Sequence, residues 1–119
     1  MSHTMNIETE IHDISVLATV CSKLNLNMEQ GEHRLYDGTV AKGVAVRLPG
    51  WRYPAVVGDD GRISYDNYNG SWGKQGELGK LTAHYGLEKA KVEARRKGYS
   101  VFESVADNGN LQLKIKVGG

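Results

Sequence analysis

The chain has 119 residues, 39% of them hydrophobic, and 15 cationic against 14 acidic side chains give a net charge of +1. That length suits one domain with its own core, and the near-neutral balance gives no overall basic signal for nucleic acid. A single cysteine, Cys21, excludes an internal disulfide framework.

The first element in the chain is a strand, because Met5, Ile7, Thr9 and Ile11 alternate with Asn6, Glu8, Glu10 and His12. Asp13 then supplies a helix N-cap. Ile14, Leu17, Val20, Cys21 and Leu24 form an apolar stripe on a helix of about three turns, ended by Asn25 and Asn27. The stripe makes Cys21 a buried thiol in a reducing compartment. From Met28 to Lys42 the pattern is the least readable; Gln30-Gly31-Glu32-His33 and Tyr36-Asp37-Gly38 read as loop, and Asp37-Gly38 can close a hairpin. Val44, Val46 and Leu48 resume a strand that Pro49-Gly50 stops.

The segment Gly50–Gly73 organises the middle of the chain. Tyr53–Val57 and Arg62–Tyr65 are strand-like, and Gly58-Asp59-Asp60-Gly61 between them is a hairpin turn. Glycines then recur at 70, 73, 76 and 79. Glycine inside a helix costs roughly 1 kcal/mol against alanine, so the glycine ladder reads as a mobile connector and the second helix starts near Glu77 or Leu78. That helix runs to Lys97, with Leu78, Leu81, Tyr85 and Val92 along one side, widened by Leu87, Ala90 and Ala94, and Gly98 as its C′ residue. Tyr99–Ala106 and Leu111–Val117 are strands around the turn Asp107–Asn110. In the last strand Leu111, Leu113, Ile115 and Val117 are expected to face in. The pattern predicts one α+β domain over residues 1–119, with a mostly antiparallel sheet, both helices on one face and a possible pseudo-twofold β-α-β-β arrangement.

Few residue groups carry recognisable chemistry. Glu8, Glu10 and His12 share a strand face and could ligate a metal, but a solvated polar face accounts for them better, and His3, His33 and His84 lack zinc spacing. The glycine ladder fits neither a nucleotide P-loop nor a dinucleotide fingerprint. Ser64, Ser71 and His84 form no nucleophile elbow. No catalytic residue, metal ligand or cofactor is assigned, and an enzyme of unknown type is one alternative only. Trp51, Tyr65, Tyr68 and Trp72, joined by Tyr53 and by Arg47, Arg52 and Arg62, form the best candidate surface. They could stack a planar ligand and hold its anionic part, or anchor a protein partner. The competing reading is that about half of these aromatics fill the core.

Charge is uneven along the chain. Residues 1–40 carry two cations and six anions, and residues 74–97 carry seven cations and three anions. Such polarity suits self-association or an acidic partner. It also raises a nucleic-acid alternative through Lys89, Lys91, Arg95, Arg96, Lys97, Lys114 and Lys116, disfavoured by the interleaved glutamates Glu88 and Glu93. No stretch approaches the roughly 20 apolar residues of a membrane span. No basic region leads into an apolar run at the start, so a cytoplasmic protein is expected.

Three groups of residues carry a family resemblance: Met1-Ser2-His3 with Ile7-Glu8-Thr9-Glu10-Ile11-His12-Asp13, then Tyr65-Asp66-Asn67-Tyr68, then Lys97-Gly98-Tyr99 before a turn and a lysine-bearing last strand. In these the chain resembles the hypothetical chloroplast reading frame thirty-five family of algal plastids and cyanobacteria, which has relatives in bacteria and phages. The resemblance implies a fold grouping and no defined activity. The expectation is therefore a small non-enzymatic binding or interaction protein, homo-oligomeric, whose partner is a protein or a small anionic planar ligand.

Overall fold

A computed structural model describes residues 5–7, 10–35, 38–68, 70–105 and 111–117. It is an α+β structure of antiparallel sheets and two helices. Two compact units divide the chain, residues 1–85 and 86–119.

In the first unit, strands β1 (Met5–Ile7), β2 (Met28–Arg34), β3 (Val40–Val46), β4 (Ala55–Gly58) and β5 (Ile63–Tyr65) form one antiparallel sheet in the order β1-β5-β4-β3-β2. Helix α1 (Ile14–Leu24) precedes β2. Asp13 caps it, its carboxylate accepting from the Val16 N–H at 3.1 Å, as the sequence implies. Asn25 ends it in the left-handed region at φ 61°, where its own N–H and that of Leu26 satisfy the Ser22 and Cys21 carbonyls. The buried stripe is Val16, Leu17, Val20 and Cys21. Ile14, expected at its head, is exposed, because the first residue after the cap projects before the helix meets the core.

The segment read as loop between Met28 and Lys42 is mostly sheet. Strands β2 and β3 pair over seven residues, from Met28↔Val46 to Arg34↔Val40. Strand β2 is an edge strand of charged and polar residues, so it lacks the apolar alternation by which strands are recognised. Burial is continuous through the second half of β3 and most of β4: Val44, Ala45, Val46 and Ala55, Val56, Val57 are all buried. The short apolar runs in the sequence mark central strands covered on both faces, where alternation was expected. Gly43, at φ +152°, lies so close to β4 that a Cβ there would overlap the Val57 carbonyl.

Helix α2 (Gln75–Arg96) begins in the first unit and ends in the second. It starts before the expected Glu77, and it contains Gly76 and Gly79, which face open space. The glycine ladder is therefore two structures, a loop up to Gly73 and a helical turn after it. Leu78, Leu81 and Tyr85 are buried in the first unit, and the Tyr85 hydroxyl accepts from the Asp13 N–H at 3.1 Å. In the second unit the buried positions of α2 are Glu88, Lys91 and Ala94, with Val92 only half-buried. The stripe keeps its helical spacing but turns ionic. The helix ends in paired caps, Gly98 N–H to Arg95 and Tyr99 N–H to Ala94, with Gly98 at φ +81° as expected.

Strands β6 (Ser100–Val105) and β7 (Leu111–Lys116) form a separate two-stranded sheet. The expected antiparallel pairing is present, from Ser100↔Lys116 to Val105↔Leu111, and its connecting turn lies outside the described residues. The expectation that β7 faces wholly inward fails, since Leu113 is half-buried, Ile115 is exposed and Val117 more so. A two-stranded sheet has too little area to cover every apolar position of its own strands.

Candidate functional site

The structure separates the seven sequence-selected residues into three groups. Trp51 and Tyr65 are framework. The turn Leu48–Trp51, closed by the Trp51 N–H to Leu48 bond, has Pro49 and the positive-φ Gly50 at its centre. It sets the Trp51 ring against Tyr65, with centroids 5.7 Å apart. The Trp51 indole N–H donates to the Lys74 carbonyl at 3.0 Å. A Cβ on Gly73 would come within 2.5 Å of the Trp51 ring, so the indole and the loop backbone are in direct contact. Tyr65 is buried, and its hydroxyl accepts from Gln75.

Arg52, Tyr68 and Trp72 gather at the surface together with Tyr53. Tyr68 stacks on Trp72 with centroids 4.7 Å apart and planes inclined 22°. Tyr53 meets Trp72 at 5.7 Å in a tilted arrangement. The Arg52 guanidinium lies 5.3 Å from the Trp72 ring centre, and the Arg52 N–H donates to the Trp72 carbonyl. This is a cation–π contact added to aromatic packing. Arg47 and Arg62 stand elsewhere. Arg47 is exposed just after β3, its N–H bonded to Asn27. Arg62 follows the β4–β5 turn, with Asp60 4.0 Å away, and lines a depression of about 420 Å³ together with Val56 and Ser64.

The loop from Asp66 to Lys74 holds the surface group in place. Asp66 is 1% exposed, and one carboxylate oxygen accepts from the Tyr68 N–H at 3.2 Å. Its other oxygen has no hydrogen-bond partner among the described residues. Buried Asn67 donates to the Gly73 carbonyl and to Gln75. The Asn67 carbonyl accepts from Gly70 and Trp72. Tyr68 is thereby fixed at φ +48°, a left-handed backbone that L side chains adopt at a cost of roughly 1–2 kcal/mol. The residue is 38% exposed. Beside this loop a cleft of about 400 Å³ runs between Pro49-Gly50 and Gly70-Ser71, with Lys74 and Glu77 at its polar end.

Other candidates take structural places. Glu10 and His12 pair at 2.8 Å in solvent, and Glu8 lies outside the described residues. Among the described residues no three acidic, histidine or cysteine side chains come together as a metal would need. Cys21 is buried, and that burial raises its thiol pKa. Lys91, counted above among basic residues, is buried between Glu88, at 2.9 Å, and Glu103. Its burial lowers the ammonium pKa, but the hydrogen bonds to Glu103 and Glu88 outweigh this and hold it above the usual lysine value. Lys89 and Arg96 both contact Glu93. Sequence reasoning missed the Glu88–Lys91–Glu103 group, although its i, i+3 spacing on a buried helical stripe was visible. No described helix is long and apolar enough to cross a membrane.

No family model matches the sequence, and no curated protein or solved structure matches it.

Proposed function

We propose that this chain is a small non-enzymatic binding protein whose working surface is Tyr68, Trp72 and Arg52, backed by Tyr53. One observation carries the reading. Tyr68 keeps a large exposed ring on a left-handed backbone position where glycine would be unstrained, and two neighbours, Asp66 and Trp72, hold it there. Strain kept at an exposed aromatic is a reason to look for function at that residue.

On this reading Tyr68 offers a flat face to a planar group, and Arg52 supplies the positive charge for its anionic part. A small planar anion satisfies both features, and so does an aromatic side chain beside a carboxylate in a protein partner. Trp51 and Tyr65 fix the loop and take no direct part. Membership of the plastid reading-frame family and a cytoplasmic setting belong to the same proposal. Native mass measurement of protein purified from its own host provides the test. A retained aromatic anion in the wild type, absent from Tyr68→Gly and Arg52→Gln, is the expected outcome. Equal retention in both variants contradicts the reading.

A further inference from the structure

Among the described strands, β7 is an edge strand outside the five-stranded sheet. It forms a two-stranded sheet with β6 alone, and such a hairpin has little stability of its own and two open edges. Strand β2, one edge of the five-stranded sheet, carries Glu29, Glu32 and Arg34 across both faces, which discourages a further strand. In β7 the pairings Val101↔Ile115 and Glu103↔Leu113 define one face, and Phe102↔Lys114 with Ser104↔Gln112 the other. Both lysines of β7 therefore lie on a single face. Ile115 is 44% exposed, Val117 68% and Phe102 57%.

We propose that β7 pairs antiparallel with β7 of a second copy across a twofold axis at Leu113, joining two hairpins into a four-stranded sheet. A second copy is the occupant because the strand is complementary to itself. In this register Leu113 meets Leu113, position 111 meets Ile115, and Gln112 meets Lys114. Leu113 faces its own copy, and among the described side chains no like charges oppose. Moving the axis to Lys114 sets that lysine against itself. Moving it to Gln112 shortens the overlap and leaves Ile115 unmatched. The β6 edge is poorer, since an axis at Phe102 sets Val101 against Glu103, which Lys91 already holds. The proposal is independent of the Tyr68 surface, which lies in the other unit.

The test is solution mass by light scattering over a range of concentrations, with folding followed by circular dichroism. The wild type is expected at twice the chain mass. Gln112→Lys places lysine opposite Lys114 twice per dimer at an exposed position, so it should raise the dissociation constant about tenfold while the monomer stays folded. Adding Lys114→Glu to that variant should restore the dimer, because lysine then opposes glutamate. A monomeric wild type, or a Gln112→Lys protein of unchanged mass, overturns the proposal. Failure of the double variant to regain the dimer overturns the register and with it the assigned axis.

Discussion

Tyr68 lies in stacking contact with Trp72, 4.7 Å between ring centres, although its backbone sits at φ +48°. The two facts oppose each other energetically. The left-handed position costs roughly 1–2 kcal/mol for a side chain bearing a Cβ, and an aromatic pair returns about 0.5–1.5 kcal/mol beyond its buried area. Glycine at position 68 would lose both together. Counting the apolar area that the ring also buries, Tyr68→Gly should cost no more than about 2 kcal/mol while removing the exposed ring. Thermal melting checks this, and a large loss would show that Tyr68 is a core residue.

Trp51 and Trp72 should separate sharply. Trp51 has an indole hydrogen bond to Lys74 and contacts Tyr65 and the Gly73 backbone. Trp51→Ala should cost about 3 kcal/mol, the low end for a core aromatic, because the residue is half-buried. Trp72→Ala should cost less, because its neighbours Tyr68 and Arg52 are themselves exposed. Gly73→Ala should be destabilising by roughly 1–3 kcal/mol, since its methyl would press into the Trp51 ring. Denaturant titration of the three variants gives the order directly.

The Glu88–Lys91–Glu103 group gives a prediction in the second unit. Lys91→Met removes the shared cation and leaves Glu88 buried beside an apolar side chain. The loss should be roughly 3 kcal/mol, as expected for breaking a buried pair from one side. Because the folded ammonium pKa is raised, its contribution is complete below the usual lysine pKa and fades as pH rises through the folded value. Wild type and variant should thus converge only at strongly alkaline pH, which melting curves across pH will show.

Cys21 should be inert in the native state. Its thiol is buried on α1, and loss of solvent raises its pKa. A thiol reagent at neutral pH should label it only after denaturation. The neutral thiol is the form that the fold favours. Its contribution therefore holds below the ordinary thiol pKa and falls as pH climbs through the raised one. Rapid labelling in native buffer would remove this reading.

Local chemistry made much of the fold legible. Asp13 as a cap, Gly98 as a helix end and β7 as a strand paired with β6 each depend on neighbours in sequence, and each lies where the residues imply. Strand β2 was not legible, because charged edge residues give no apolar period and its evidence lies in β3, across the sheet. Gly76 and Gly79 misled for a related reason. Propensity argued against a helix there, and the packing of Leu78 and Leu81 overrides it. In the candidate site, residue type selected the right neighbourhood but not the members. Trp51 and Trp72 are equal in sequence, and only tertiary contacts make one framework and the other surface. Of the three arginines, which one reaches Trp72 depends on the Arg52 backbone bond to the Trp72 carbonyl, a contact that no local pattern encodes.

The most direct test of the central claim is a tryptophan-fluorescence titration with a panel of nucleoside monophosphates and aromatic carboxylates. Trp72 lies beneath Tyr68 and beside Arg52, so an occupied surface must alter its emission. The account predicts saturable quenching by at least one planar anion, abolished by Tyr68→Gly and weakened about tenfold or more by Arg52→Gln, with Trp51 emission and folding unchanged. Quenching that survives in both variants, or a panel that leaves the wild-type emission untouched, would contradict it.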